Sequence, residues 1–167
     1  MIAGKPVDTP FPPSKPRFVR HLALLLLASA TLFGIPSQRD ALNAQYLKAR
    51  GTYATAQKAG KKDDILASFA AIQEVGAAVI AANQTAIAAT TLGSYSYPAD
   101  VKSEKSRRSY DLKMANFNRT LRDSNATLSA FVAPADTDAA SIRAADSYIG
   151  TLTKAIETHH ATCQNIR

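Results

Sequence analysis

The run Phe18–Pro36, FVRHLALLLLASATLFGIP, constrains this chain more than any other stretch, because it is the one continuous apolar segment. It separates a proline-rich basic tail from a long alanine-rich remainder. From Leu22 to Ile35 it holds 14 residues without a charge, against the roughly 20 that cross a hydrocarbon core as a helix. With Phe18 and Val19 included, and Arg20 and His21 reaching back to the head-group region, it is long enough for an anchor. The same residues fit a secretory signal. Lys5, Lys15, Arg17 and Arg20 precede the Leu22–Leu27 core, and Ala28-Ser29-Ala30 supplies the small-x-small pattern for a cut before Thr31. Both readings keep the basic flank in the cytoplasm and export the alanine-rich remainder. The expected location is therefore a bacterial inner membrane with a periplasmic domain, or the periplasm or medium if the chain is cleaved after Ala30.

This divides the chain into a tail over residues 1–17, an anchor or signal core over 18–36 and an exported domain over 37–167. A chain of 167 residues has room for one such domain of ordinary size. Its single cysteine, Cys163, excludes a disulfide framework, so stability must come from packing. The net charge is +7; residues 1–30 hold four basic residues and one acid, and the surplus of about +4 left on the exported part is dispersed and leaves no nucleic-acid footprint. Alanine is abundant, glycine scarce and the β-branched residues scattered, a balance that favours helix over strand.

The exported part divides into four helical segments. Ser37 to Asp40 resembles a capping box, and Leu42, Tyr46, Ala49, Tyr53, Ala56 and Gly60 then recur at steps of four and three. Gly60-Lys61-Lys62-Asp63-Asp64 combines a helix stop with a new acidic start. The second helix carries Ile65, Phe69, Ile72, Gly76, Val79, Asn83 and Ala86 on one seam, with Ile80 and Ile87 beside it, and fades near Gly93. Small residues around Gly76 would let a neighbouring helix come close. The third aligns Tyr110, Met114, Phe117, Leu121, Ser124, Leu128 and Phe131 and ends at Pro134. The fourth starts at Asp136 or Thr137 and aligns Ile142, Ala145, Ile149, Leu152, Ile156, His159, Cys163 and Ile166. Sustained heptads joined by mostly short connections predict an all-α, antiparallel four-helix bundle, preceded by one N-terminal apolar helix.

Chemistry is sparsely signalled. His159 and Cys163 lie one helical turn apart on the buried seam, but the other seams offer no further His or Cys and no facing carboxylate to complete a zinc or di-iron set. No metal and no cofactor are therefore expected. The Cys-x-x-Cys-His attachment motif for haem is missing as well. There is no Gly-x-Ser-x-Gly turn and no Gly-rich phosphate loop, and the paired acids Asp63-Asp64 and Asp136/Asp138 stand where helix starts use them. The chain is not expected to be an enzyme. Asn83, Asn118 and Asn125 match the glycosylation pattern but fall inside predicted helices.

The candidate contact surface is the loop Leu92–Ser103 with the adjoining basic cluster: Tyr95, Tyr97, Lys102, Lys105, Arg107 and Arg108. Exposed tyrosine supplies contact area at low entropic cost. The cations begin a helix whose dipole is already positive there, so they oppose local preference. The resulting expectation is a membrane-tethered periplasmic bundle that serves as an accessory subunit of a larger membrane complex, touching a protein partner and no nucleic acid. The alternative is a secreted bundle that binds a ligand or haem through His159.

Overall fold

The structure, a computed structural model, describes residues 38–93 and 97–166. The tail, the apolar stretch with its anchor and signal readings, and Tyr95 lie outside the described residues. Four helices account for most of the rest: α1 (Arg39–Ala59), α2 (Lys62–Gly93), α3 (Glu104–Ser129) and α4 (Ala139–Gln164). No strand occurs among the described residues. The domain is all-α.

Helix α1 buries Leu42, Tyr46, Ala49, Tyr53 and Ala56, the stripe that the spacing predicts. Gly60, the stripe's sixth member, is exposed and does a different job: with φ at 67° it takes the left-handed conformation and donates its N–H to the Ala56 carbonyl, closing the helix. The start departs from expectation. Gln38 is the N-cap and makes no side-chain cap bond, while Ser37 lies outside the described residues. Helix α2 opens directly after Lys61, with Asp63 and Asp64 in its first turn where the dipole favours acids.

The packing partners fix the directions of the helices. On α1, Tyr53, Tyr46 and Arg39 bond to Asp146, Thr153 and Glu157 of α4, so these two helices run antiparallel. On α2, Gly76 meets Tyr148 and Asn83 meets His159, so α2 and α4 run parallel. Asn83 and Thr90 of α2 meet Asn125 and Asn118 of α3, which is antiparallel again. The chain thus passes up and down through a four-helix bundle.

The bundle is staggered. Helix α1 begins level with Glu157, near the height at which α3 ends, and α1 and α3 make no contact with each other. Helices α2 and α4 form the central pair. Helix α1 covers the first half of α2, where Asp64 and Ala67 border it, and α3 covers the second half. Helix α2 is therefore flanked by different neighbours along its length, and its composition shows it. It is long and apolar enough to cross a membrane by length and composition alone, yet in this fold it is the core helix. Beyond the predicted seam it also buries Ser68, Val75, Ala82 and Thr90.

The segment from Ala130 to Asp138 completes the first half. Helix α3 stops at Ser129, short of the expected Pro134, because Phe131 leaves the helix to stack on Tyr148, ring centroids 4.0 Å apart and 8° from parallel. The chain then runs beside α2: Ala133 donates its N–H to Gln73 Oε1 at 3.0 Å, and Lys62 pairs with Asp136 at 3.0 Å. Helix α4 starts at Ala139, later than expected, since Asp138 is the residue whose carboxylate accepts the Ser141 N–H at 2.7 Å. That bond holds the Asp138 carboxyl below the usual carboxylate range.

Candidate functional site

The predicted contact residues separate into two groups. Tyr97 lies against the first turns of α3, where its hydroxyl donates to the Asp111 carboxylate at 3.1 Å. Its ring meets Tyr110 edge-on at 5.9 Å, and the Arg107 guanidinium sits 5.3 Å from the ring centroid. The bond to Asp111 raises the hydroxyl's pKa, since losing the proton would set two negative charges side by side. Tyr97 nevertheless keeps 39 % of its surface exposed. The fold thus joins Tyr97 and Arg107 into one exposed aromatic–cation cluster. Arg108 turns back along the helix to Glu104 at 3.3 Å, and Lys102 and Lys105 are exposed.

A serine pair holds this helix start against its unfavourable charge. Ser103 accepts the Ser106 N–H at 3.1 Å, and the Ser103 N–H donates to the Ser106 hydroxyl at 3.0 Å. This is a reciprocal cap with serine in the place that Glu or Gln usually fills. Sequence reasoning missed it because it looks for the longer side chain. Glu104 in the first turn adds the acid that the dipole favours.

The second concentration of chemistry is internal. His159 is 1 % exposed and Asn83 fully buried. His159 Nδ1 lies 2.9 Å from Asn83 Oδ1, and Asn83 Nδ2 donates to Asn125 Oδ1 at 2.8 Å. Two helical turns along α2, Thr90 donates to Asn118 Oδ1 at 2.8 Å. Because the Asn83 amide oxygen faces the ring, Nδ1 is the nitrogen that carries the hydrogen in neutral His159. The Cys163 Sγ lies nearly equidistant from the two ring nitrogens, 3.8 Å from Nε2 and 3.9 Å from Nδ1. Burial lowers the pKa of His159, and the nearby His160 adds to the effect.

All three asparagines of the glycosylation pattern thus sit within helices, and each amide spans to a neighbouring helix. The sequence flagged His159 and Cys163 as a pair but not the asparagines as their partners. The available signal was that Asn83 falls on the α2 seam and that Asn118 and Asn125, seven residues apart, share one face of α3.

The described residues contain no group of three or more His, Cys, Asp or Glu placed to hold a metal ion. Two open grooves mark the surface. One, of about 400 Å³, runs between α1 and α2 along Gly51, Thr55, Asp64 and Ala67. The other, of about 220 Å³, lies between α3 and α4 over Phe117 and Ile166, rimmed by Lys113, Asn116 and Thr162. Set against protein-family models, curated proteins and solved structures, the chain has no match.

Proposed function

We propose that this protein is a non-enzymatic, membrane-tethered bundle of a bacterial envelope, an accessory subunit that contacts a protein partner through Tyr97, Lys102, Lys105, Arg107 and Arg108. The apolar stretch 18–36 is the tether in this reading. The observation that carries the contact assignment is the exposed Tyr97–Arg107 stack beside exposed lysines, at a helix start where positive charge opposes the dipole. Aromatic rings and arginine are the residue types that contribute most at protein interfaces. An arginine already ordered on a ring loses less freedom on binding. The burial of His159 within hydrogen-bonded neighbours favours a structural role for that ring over a ligand-binding one.

The test is a photo-crosslinking amino acid at position 97 in the full chain, expressed in its host and followed by membrane fractionation. The expected result is a membrane-associated chain that forms one discrete protein adduct, lost in Arg107→Glu/Arg108→Glu. A chain recovered intact from the soluble cytoplasmic fraction overturns the tether, and labelling that is unchanged by the charge reversals overturns the contact surface.

A further inference from the structure

The polar chain at the centre of the bundle sits at the junction of its two halves. Asn83 lies just past the level at which α1 starts and beside the last turns of α3, and it bonds both α4, through His159, and α3, through Asn125. The donor order runs one way. Neutral His159 gives its Nδ1 hydrogen to Asn83, and Asn83 gives an amide hydrogen to Asn125.

A second proton must enter at Nε2; the Cys163 sulfur, a weak acceptor, sits 3.8 Å from Nε2 and 3.9 Å from Nδ1 and so favours neither nitrogen. Among the described residues, the partners bonded to the ring or set beside it are neutral amides, a thiol and a second imidazole. From α2 and α3 it meets the neutral amides Asn83 and, beyond it, Asn125. On α4 its neighbours are Cys163 and His160, and the latter opposes a further positive charge. The nearest acid along α4 toward α1, Glu157, is paired with Arg39. A charge buried without a partner is expelled or hydrated, and hydration requires an opening.

We infer that the His159–Asn83–Asn125 chain is an acid-sensitive latch: protonation of His159 releases α3 from the central α2–α4 pair and leaves the half covered by α1 closed. The two halves respond differently because their buried clusters differ. Leu42, Tyr53, Phe69, Ile72 and Leu152 hold α1 in the larger one, which α3 joins through Leu128 in its last turn, while the body of α3 closes on the smaller cluster of Ala86, Phe117, Leu121 and Cys163. The sign follows from linkage. The folded state disfavours the charged ring, so the unfolded or opened state takes up the proton first, and stability is full above the ordinary histidine value of 6.5 and falls as the pH drops below it. The latch resides in the helical core alone and does not depend on how the chain is tethered.

The experiment uses the full chain in detergent or nanodiscs. Histidine-ring NMR follows the titration of His159, and amide hydrogen exchange, corrected for its intrinsic pH dependence, is read over Phe117–Leu128 of α3 and Tyr46–Ala56 of α1. The expected result is a His159 titration below 6.5, with α3 opening up to about tenfold more often per pH unit beneath it and α1 unchanged. His159→Gln should abolish the acceleration and His160→Gln should keep it. A His159 titration at or above 6.5 overturns the latch, as does exchange that accelerates in α1 and α3 together or in neither. The wild-type measurements decide the matter even where His159→Gln does not fold.

Discussion

The half of the bundle under α1 and the half under α3 share one hydrophobic spacing and are held together differently. Under α1 the interior is apolar except for Ser68, whose hydroxyl donates to the Ile65 carbonyl of its own helix, and the tyrosine hydroxyls of α1 sit at the rim. Tyr53 buries its ring beside Phe69, centroids 6.0 Å apart, and sends its hydroxyl out to Asp146 at 2.9 Å. Tyr46 does the same, accepting from Thr153 at 2.9 Å. Under α3 the polar atoms are inside, as His159, Asn83, Asn125, Thr90 and Asn118. The contrast separates two functions of a core. Apolar burial is non-directional and supplies most of the stability, whereas a buried amide is satisfied at one register and penalises every other.

Substitutions of graded severity put this contrast at risk. Phe69→Ala removes a fully buried ring from the larger cluster and should cost about 3–5 kcal/mol in urea unfolding. A loss under about 1 kcal/mol would mean that the α1 half is not the apolar anchor. Asn83→Ala leaves His159 Nδ1 and Asn125 without their partner and should cost about 1–3 kcal/mol, with faster exchange confined to α3. Equal acceleration in α1 would erase the distinction between halves. Tyr53→Phe deletes two rim hydrogen bonds, one to Asp146 and one from Gln57, and should cost about 1–2 kcal/mol. Combined with Asn125→Ala its effect should add to within about 0.5 kcal/mol, because α1 and α3 do not touch. The smallest effect belongs to Arg39→Ala. Its bond to Glu157 is partly exposed, so the loss should stay below about 1 kcal/mol and shrink further in high salt.

Much of this fold was legible in the sequence, because the positions that bury side chains do so at regular intervals. Leu42 to Ala56 and Ile65 to Ala86 fall where the alternation of four and three puts them, as do Ala145, Leu152, Ile156, His159 and Cys163, while Ile149 of the same predicted seam is only half-buried. What the periodicity could not show was depth and stagger. It treats α2 as one-sided, and so overlooked Ser68, Val75, Ala82 and Thr90, which are buried because a second and third helix cover other faces. It also overlooked Tyr148, which is buried off the predicted seam. The end of α3 was misplaced at Pro134 because the stacking partner of Phe131 comes from α4, which the pattern of α3 alone cannot register. At the candidate site, exposure and charge picked out Tyr97 and Arg107, but nothing in the sequence announced that the ring would sit beneath the guanidinium. Buried amides were the least legible, since an asparagine on a helix reads the same whether it faces water or a histidine.

The Gly76–Tyr148 contact limits how this molecule can move. The Tyr148 hydroxyl donates to the Leu128 carbonyl at 3.2 Å, and its tip occupies the place that a Cβ at position 76 would need. A phenol seated in such a notch blocks axial sliding of α2 past α4 and rotation of either about its own axis. Shear between the two central rods would have to push this tip out of its notch, so displacement of an outer helix meets less resistance than sliding of the central pair.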